Sequence, residues 1–147
     1  WIKFKRARGE LMADTKRVVM VVSEGTFDKG MMAMIIANTA ASMGMDVHIF
    51  FTFFGLNLLK KGAKPKLPGM FRLFTGMFTK RMAKGGIADF PEQLSMALDL
   101  GVNLYACSTT MSLLSIEQGD MIDGVKVLGA AGFLNVAADA DMQYFIG

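Results

Sequence analysis

The chain of 147 residues carries one cysteine and one histidine, and the cysteine has the setting in which chemistry could occur. Cys107 ends the apolar run Val102-Asn-Leu-Tyr-Ala-Cys107 and is followed at once by Ser108-Thr-Thr-Met-Ser-Leu-Leu, a pattern that predicts a buried strand passing straight into a helix. In open α/β sheets ligand sites lie at the carboxyl ends of strands. Ser108 or Thr109 can cap the new helix and Thr110 continues its first turn, so that free N–H groups and the helix dipole point back toward Cys107. That placement favours thiolate over thiol, and thiolate is the nucleophile of sulfur chemistry. The same donors would hold a persulfide or S-sulfonate anion. A reactive sulfur must also be reachable and locally electropositive. A blander reading stands beside this one: free cysteine is among the most buried residue types, and Cys107 can be a core residue.

Other predicted strand ends bring polar atoms to the same rim. Ser23, Glu24 and Thr26 follow the first strand, and Thr52 follows the second. With Ser108, Thr109 and Thr110, the residues Ser23, Glu24 and Thr52 form the candidate set around a substrate on Cys107, although each is equally explained as a turn or cap residue. Competing chemistries lack their parts. A dithiol oxidoreductase needs a second cysteine, and a cysteine hydrolase needs a base close by. The histidine, His48, lies mid-strand about 13 Å below the rim at the rise of an extended chain, which suits a packed core or interface residue. One His and one Cys make a protein-only zinc site untenable within a chain. Gly129-Ala-Ala-Gly132 could approach a phosphate but carries no fuller nucleotide fingerprint. No metal or cofactor is called for.

The elements that must position these residues follow from periodicity. Arg17-Val-Val-Met-Val-Val-Ser23 and Met45-Asp-Val-His-Ile-Phe-Phe-Thr52 read as buried strands, joined by a helix over roughly residues 28–43 that Thr26 or Asp28 can cap and Gly44 ends. That helix is apolar nearly all round. Met32, Ile35, Ile36, Thr39 and Met43 make one face and Met31, Met34 and Ala41 much of the other, so one side is read as sheet contact and the other as a subunit interface. A short helix is expected over residues 54–61. Pro91 fits the first turn of a helix running to Leu100. After the Cys107 strand come a short strand Val125–Leu128, a helix over residues 132–139 and a last strand Met142–Ile146. Alternating β and α elements imply an α/β fold, a mainly parallel sheet with helices on both faces.

Charge is unevenly spread. Residues 60–84 hold eight Lys or Arg and no acid, and residues 1–17 hold six against Glu10 and Asp14. Elsewhere Lys29 and Lys126 face eleven acids, so the net +3 hides a body at −9 with two basic appendages. A nucleic-acid binder would spread its basic residues over the folded surface, and no nucleic-acid partner is expected. Residues 1–15 read as a basic extension, with Met12 resembling a natural start, and residues 16–147 as a single domain with a basic amphipathic insertion at about 60–91. In that insertion Met70, Phe71, Phe74, Met77 and Phe78 share one face at helical spacing. The face could lie on an anionic membrane, dock a partner or cover Cys107, or pack on the body. The longest apolar run, Val47 to Leu59, is short of the roughly 20 residues of a membrane span. A lone cysteine gives no sign of a secreted, disulfide-stapled fold, and a cytoplasmic protein is expected.

Two stretches, Phe50-Phe-Thr-Phe-Phe-Gly-Leu-Asn-Leu-Leu-Lys-Lys61 and Leu100-Gly-Val-Asn-Leu-Tyr-Ala-Cys-Ser-Thr-Thr-Met111, resemble the DsrE/DsrF-like family, and within it the longer branch that has an insertion before the cysteine-bearing half. The resemblance spans nearly all of residues 16–147. It implies a five-stranded three-layer α/β/α fold, homo-oligomeric assembly, and sulfur relay alongside TusA-like and rhodanese-like carriers, with Cys107 as the sulfur-bearing residue. Some relatives hold a second cysteine nearby and this chain does not, which disfavours product release through an internal disulfide. Membrane association suspected in this branch keeps the lipid reading of the insertion open.

Overall fold

The computed structural model describes residues 15–147, so the expected basic extension, except for its last residue, lies outside the described residues, as does Met12. In chain order the elements are β1 (Arg17–Val22), α1 (Phe27–Ser42), β2 (Asp46–Phe51), a 3-10 segment Phe53–Leu59, a second 3-10 segment Gly69–Phe74, α2 (Thr75–Lys84), α3 (Phe90–Asp99), β3 (Asn103–Cys107), α4 (Ser108–Leu113), a 3-10 turn Gln118–Asp120, β4 (Lys126–Leu128), α5 (Ala130–Ala137) and β5 (Met142–Ile146). The five strands pair in parallel in the order β4-β3-β2-β1-β5, which is the three-layer α/β/α architecture expected.

Successive strand residues point to opposite faces, and the register sorts them. Val18, Met20, Val22, Val47, Ile49, Phe51, Leu104 and Ala106 share one face, all of them buried. This side is covered by α1 and α3, which approach closely because Gly30 presents no side chain: a Cβ there would lie 3.0 Å from the Phe90 ring and 3.1 Å from Leu58. Between these helices the buried Asn38 donates through Nδ2 to Gln93 Oε1 at 2.8 Å and to the Gln93 carbonyl at 3.0 Å. The other face carries Val19, Val21, His48, Phe50, Tyr105 and Cys107, and α5 covers it by stacking Phe133 on Phe50 at 4.6 Å.

Several local expectations change. The short helix foreseen over residues 54–61 is the 3-10 segment Phe53–Leu59. It lies against the end of β1, where a Cβ on Gly55 would run into the Val22 carbonyl oxygen, so this close approach requires glycine. Thr26 does open α1, but its hydroxyl caps nothing. The last helix starts at Ala130 with Gly129 as its cap residue, which absorbs the Gly129-Ala-Ala-Gly132 turn into ordinary helix initiation.

The insertion departs most from the bland reading. No residue of Gly69–Phe74 or Thr75–Lys84 is buried. Met70, Phe71, Leu73 and Met77 are 84, 66, 87 and 66 % exposed. Leu67 and Met82 pack on the core, and Phe78 meets Phe27 edge-on at 6.1 Å. The segment is tied down by the Phe27 N–H donating to the Lys66 carbonyl at 2.9 Å and by a bridge between Lys60 and Met121. Because α1 and α3 already cover that side of the sheet, the insertion finds a seat only over their amino-terminal ends, and its apolar face turns outward.

Candidate functional site

At the carboxyl ends of the strands, register sets the order along one face as Leu128, Cys107, Thr52, Ser23 and Gly147, one residue from or just beyond each of β4, β3, β2, β1 and β5. Cys107 is itself the cap residue of α4. Neither Ser108 nor Thr109 caps that helix: both lie inside it, since the chain bends into helix immediately after the cysteine.

Thr110 is the centre of the arrangement. It is buried, its Oγ1 lies 3.1 Å from Thr52 Oγ1, and it accepts a hydrogen bond from the Phe53 N–H at 3.1 Å. Phe53 is held at φ +46°, a left-handed conformation that costs a bulky residue of order 1–3 kcal/mol. Burial of Cys107 pushes its thiol up. The Thr110 and Thr109 N–H groups at the start of α4 and the paired hydroxyls of Thr110 and Thr52 surround the sulfur, and their favourable interaction with its anion outweighs burial and holds the thiol below its ordinary value. The electropositive surroundings a thiolate needs are thus supplied by backbone and hydroxyl donors. Cys107 is only 6 % exposed, so reaction with a partner requires local opening around the sulfur.

The remaining members of the candidate set divide. Thr52 and Thr110 meet Cys107 through side chains and Thr109 through its backbone. The Ser108 carbonyl accepts from Ser112 Oγ at 3.2 Å, and Ser108 Oγ lies against Gly129. Ser23 stands two strands from Cys107, on the order of 10 Å at ordinary strand spacing, with its hydroxyl against Gly147. Glu24 is exposed beyond β1.

Below Cys107, His48 stands in a polar group whose other members, Asp46, Tyr105 and Arg17, the sequence did not single out. His48 is buried, with Nδ1 2.9 Å from Tyr105 Oη and its ring stacked on the tyrosine at 5.8 Å. Its Nε2 lies 2.9 Å from Asp46 Oδ1, close in distance but off the line of the ring N–H. Arg17 Nε donates to Asp46 Oδ2 at 3.0 Å. Burial pushes the Asp46 carboxyl up, but His48 and Arg17 bring it below its usual range, while burial and Asp46 push Tyr105 up. His48 is therefore a packed core histidine. Strand parity was the available signal: Asp46, His48, Tyr105 and Cys107 all fall on one face.

Among the described residues no group of three or more His, Cys, Asp or Glu side chains is placed to hold a metal ion, and no helix is long and apolar enough to cross a membrane.

Comparison with known proteins follows the same lines. The model of the DsrE/DsrF/DrsH-like family matches residues 14–70 and 66–145. The chain is 30 % identical to the sulfur carrier protein DsrE2 of Allochromatium vinosum, over 90 % of this chain and 99 % of that protein. It is 34 % identical to the uncharacterized protein YrkE of Bacillus subtilis, over 90 % of this chain and 98 % of the relative. In fold it is similar to the ychN protein of E. coli, with a TM-score of 0.63 at 15 % identity, covering 89 % of this chain and 99 % of that one. It is also similar to MTH1491 of Methanobacterium thermoautotrophicum, a protein of unknown function, with a TM-score of 0.53 at 16 % identity, covering 88 % and 98 %.

Proposed function

Because the chain belongs to the DsrE/DsrF/DrsH-like family, we propose that it is a cytoplasmic sulfur carrier whose Cys107 takes up sulfur from one partner and hands it to another. The observation that carries the reading is the seat of Cys107 where β3 ends and α4 begins, beside the paired hydroxyls of Thr52 and Thr110, a setting that lowers the thiol pKa. Such a cradle keeps a thiolate ready and would hold the terminal sulfur of a persulfide, or a thiosulfonate, by the same groups.

The step is a simple exchange. The Cys107 thiolate attacks the outer sulfur of a donor persulfide, a sulfur–sulfur bond forms to Cys107, the donor's own sulfur–sulfur bond breaks, and the donor leaves as thiolate. An acceptor thiolate then attacks the outer sulfur on Cys107, and Cys107 departs as thiolate. The two exchanges balance without an external oxidant or reductant and need no second cysteine in this chain. Donor and acceptor are carriers of the TusA-like or rhodanese-like kind. Thr52, Thr109 and Thr110 position the anion, whereas Ser23 and Glu24 have no part in it.

Incubation with a polysulfide donor followed by intact-mass measurement tests this. The native chain should gain one sulfur atom per chain and Cys107→Ser none, with both variants keeping the same circular dichroism. Equal loading of the two would reject the proposal.

A second reading is favoured by one observation, the outward apolar face of Met70, Phe71, Leu73, Phe74 and Met77 among basic residues. In it the protein rests on a membrane surface through its insertion.

A further inference from the structure

We infer that the cleft between the insertion and the β1–α1 turn binds a tetrahedral oxyanion of the phosphate or sulfate type, carried by a small molecule or by a lipid headgroup. The cleft holds about 470 Å³, and its walls include Gly25, Thr26, Asn57, Lys64, Lys66 and Arg72 but no acidic residue. An adjoining hollow of about 430 Å³ shares Lys64, Lys66 and Arg72. It adds Asp89, whose carboxylate is turned to the Glu92 N–H as the cap of α3.

Three observations set this group apart from an ordinary solvated basic surface. First, none of Lys64, Lys66 and Arg72 lies within ion-pair distance of a carboxylate among the described residues. Three like charges around one hollow repel one another, and a multivalent anion is what relieves that repulsion. Second, Pro65 and Pro68 line the same wall, and their fixed φ angles stiffen the chain that bears the cations, so less order has to be imposed when a ligand arrives. Third, the amino terminus of the 16-residue helix α1 opens here. The Phe27 N–H is taken by the Lys66 carbonyl, which leaves those of Asp28 and Lys29 without intrahelical partners. Thr26 lines the same wall and its hydroxyl caps nothing. Asp28 is exposed and outside the lining. An oxyanion with two or more negative charges matches three cations and the positive helix end together.

The inference does not rest on the sulfur reading, although one segment borders both sites. The 3-10 segment Phe53–Leu59 has its first residue bonded to Thr110 beside Cys107, while Asn57 on its next turn lines the cleft. Either site could fail alone.

Calorimetric titration of the full chain with inorganic pyrophosphate tests the inference. Two variants of equal net charge are compared: Lys64→Gln/Lys66→Gln/Arg72→Gln in the cleft, and Lys80→Gln/Arg81→Gln/Lys84→Gln on α2, whose residues are exposed and outside the lining. The native chain and the α2 variant should bind saturably and alike, and the cleft variant at least about tenfold more weakly. A second arm uses phosphatidylglycerol vesicles against phosphatidylcholine vesicles. Pyrophosphate-displaceable binding to the anionic vesicles alone assigns the oxyanion to a headgroup, and pyrophosphate binding without vesicle binding assigns it to a soluble molecule. The inference is overturned by unchanged affinity in the cleft variant, by equal weakening in both variants, or by no saturable binding to either probe.

Discussion

At Cys107 burial and hydrogen bonding act in opposite directions on one proton, and the donors win. The sign has a consequence for the fold. A thiol held below its ordinary value contributes stability that is fully present above the unfolded thiol pKa and is lost as pH falls through the lowered one. It also divides the two threonines. Thr52→Val removes one of the paired hydroxyls beside the sulfur, whereas Thr110→Val removes the other and also the acceptor of the Phe53 N–H, an unpaired group that costs about 1–3 kcal/mol. Alkylation of Cys107 followed against pH should move to higher pH in both variants, so that both react several-fold more slowly at pH 7 and recover in alkali. Thr110→Val alone should lower the thermal midpoint appreciably. Unmoved pH profiles in both would show that the threonines do not hold the anion. Cys107, Thr52 and Thr110 were legible in the sequence because each ends or follows an apolar run at a predicted strand end. The Thr109 N–H and the left-handed Phe53 were not, since they depend on how two strand ends lie side by side.

The insertion illustrates what an element's pattern says and what it leaves open. Helical spacing assigns Met70, Phe71, Phe74 and Met77 to a common face, but periodicity cannot say what that face meets. Only the three-dimensional arrangement shows α1 and α3 already closing that side of the sheet, with Phe78, Leu67 and Met82 taking the available contact. The strands were more legible for a physical reason: a fully buried parallel strand must be continuously apolar, so Arg17–Val22 and Asp46–Phe51 announce themselves. An exposed apolar face flanked by Lys80, Arg81 and Lys84 suits the interface of an anionic bilayer. Phe71→Glu/Phe74→Glu should therefore abolish co-sedimentation with phosphatidylglycerol vesicles while leaving sulfur loading of Cys107 intact, because neither side chain is among the groups that meet the sulfur. If the native chain itself stays in the supernatant, the membrane reading is excluded.

At the scale of the whole molecule, a further apolar surface among the described residues lies along α1, away from the insertion. Met32, Ile35 and Met43 are 43, 42 and 68 % exposed, and Ile35 and Met43 border a groove of about 270 Å³ with Val18, Ile36, Met142 and Tyr144. Beside it β5 is an edge strand, whose unpaired backbone groups invite further pairing. A contiguous apolar patch next to an open sheet edge is the surface a second copy would cover. Light scattering should accordingly give a molar mass that is a multiple of the 16.0 kDa chain, and Ile35→Glu/Met43→Glu should reduce it to one chain without changing the circular dichroism. A native chain that runs as a monomer at micromolar concentration would remove the argument. Position also bears on chemistry. Because α1 follows the carboxyl end of β1 and leads back to the start of β2, its last turn and Met43 lie at the amino-terminal ends of the strands, opposite Cys107. Assembly through this patch leaves the sulfur end of the sheet open, so the Ile35→Glu/Met43→Glu monomer should load sulfur at the native rate. A monomer unable to load would mean instead that a neighbouring copy completes the cradle around Cys107.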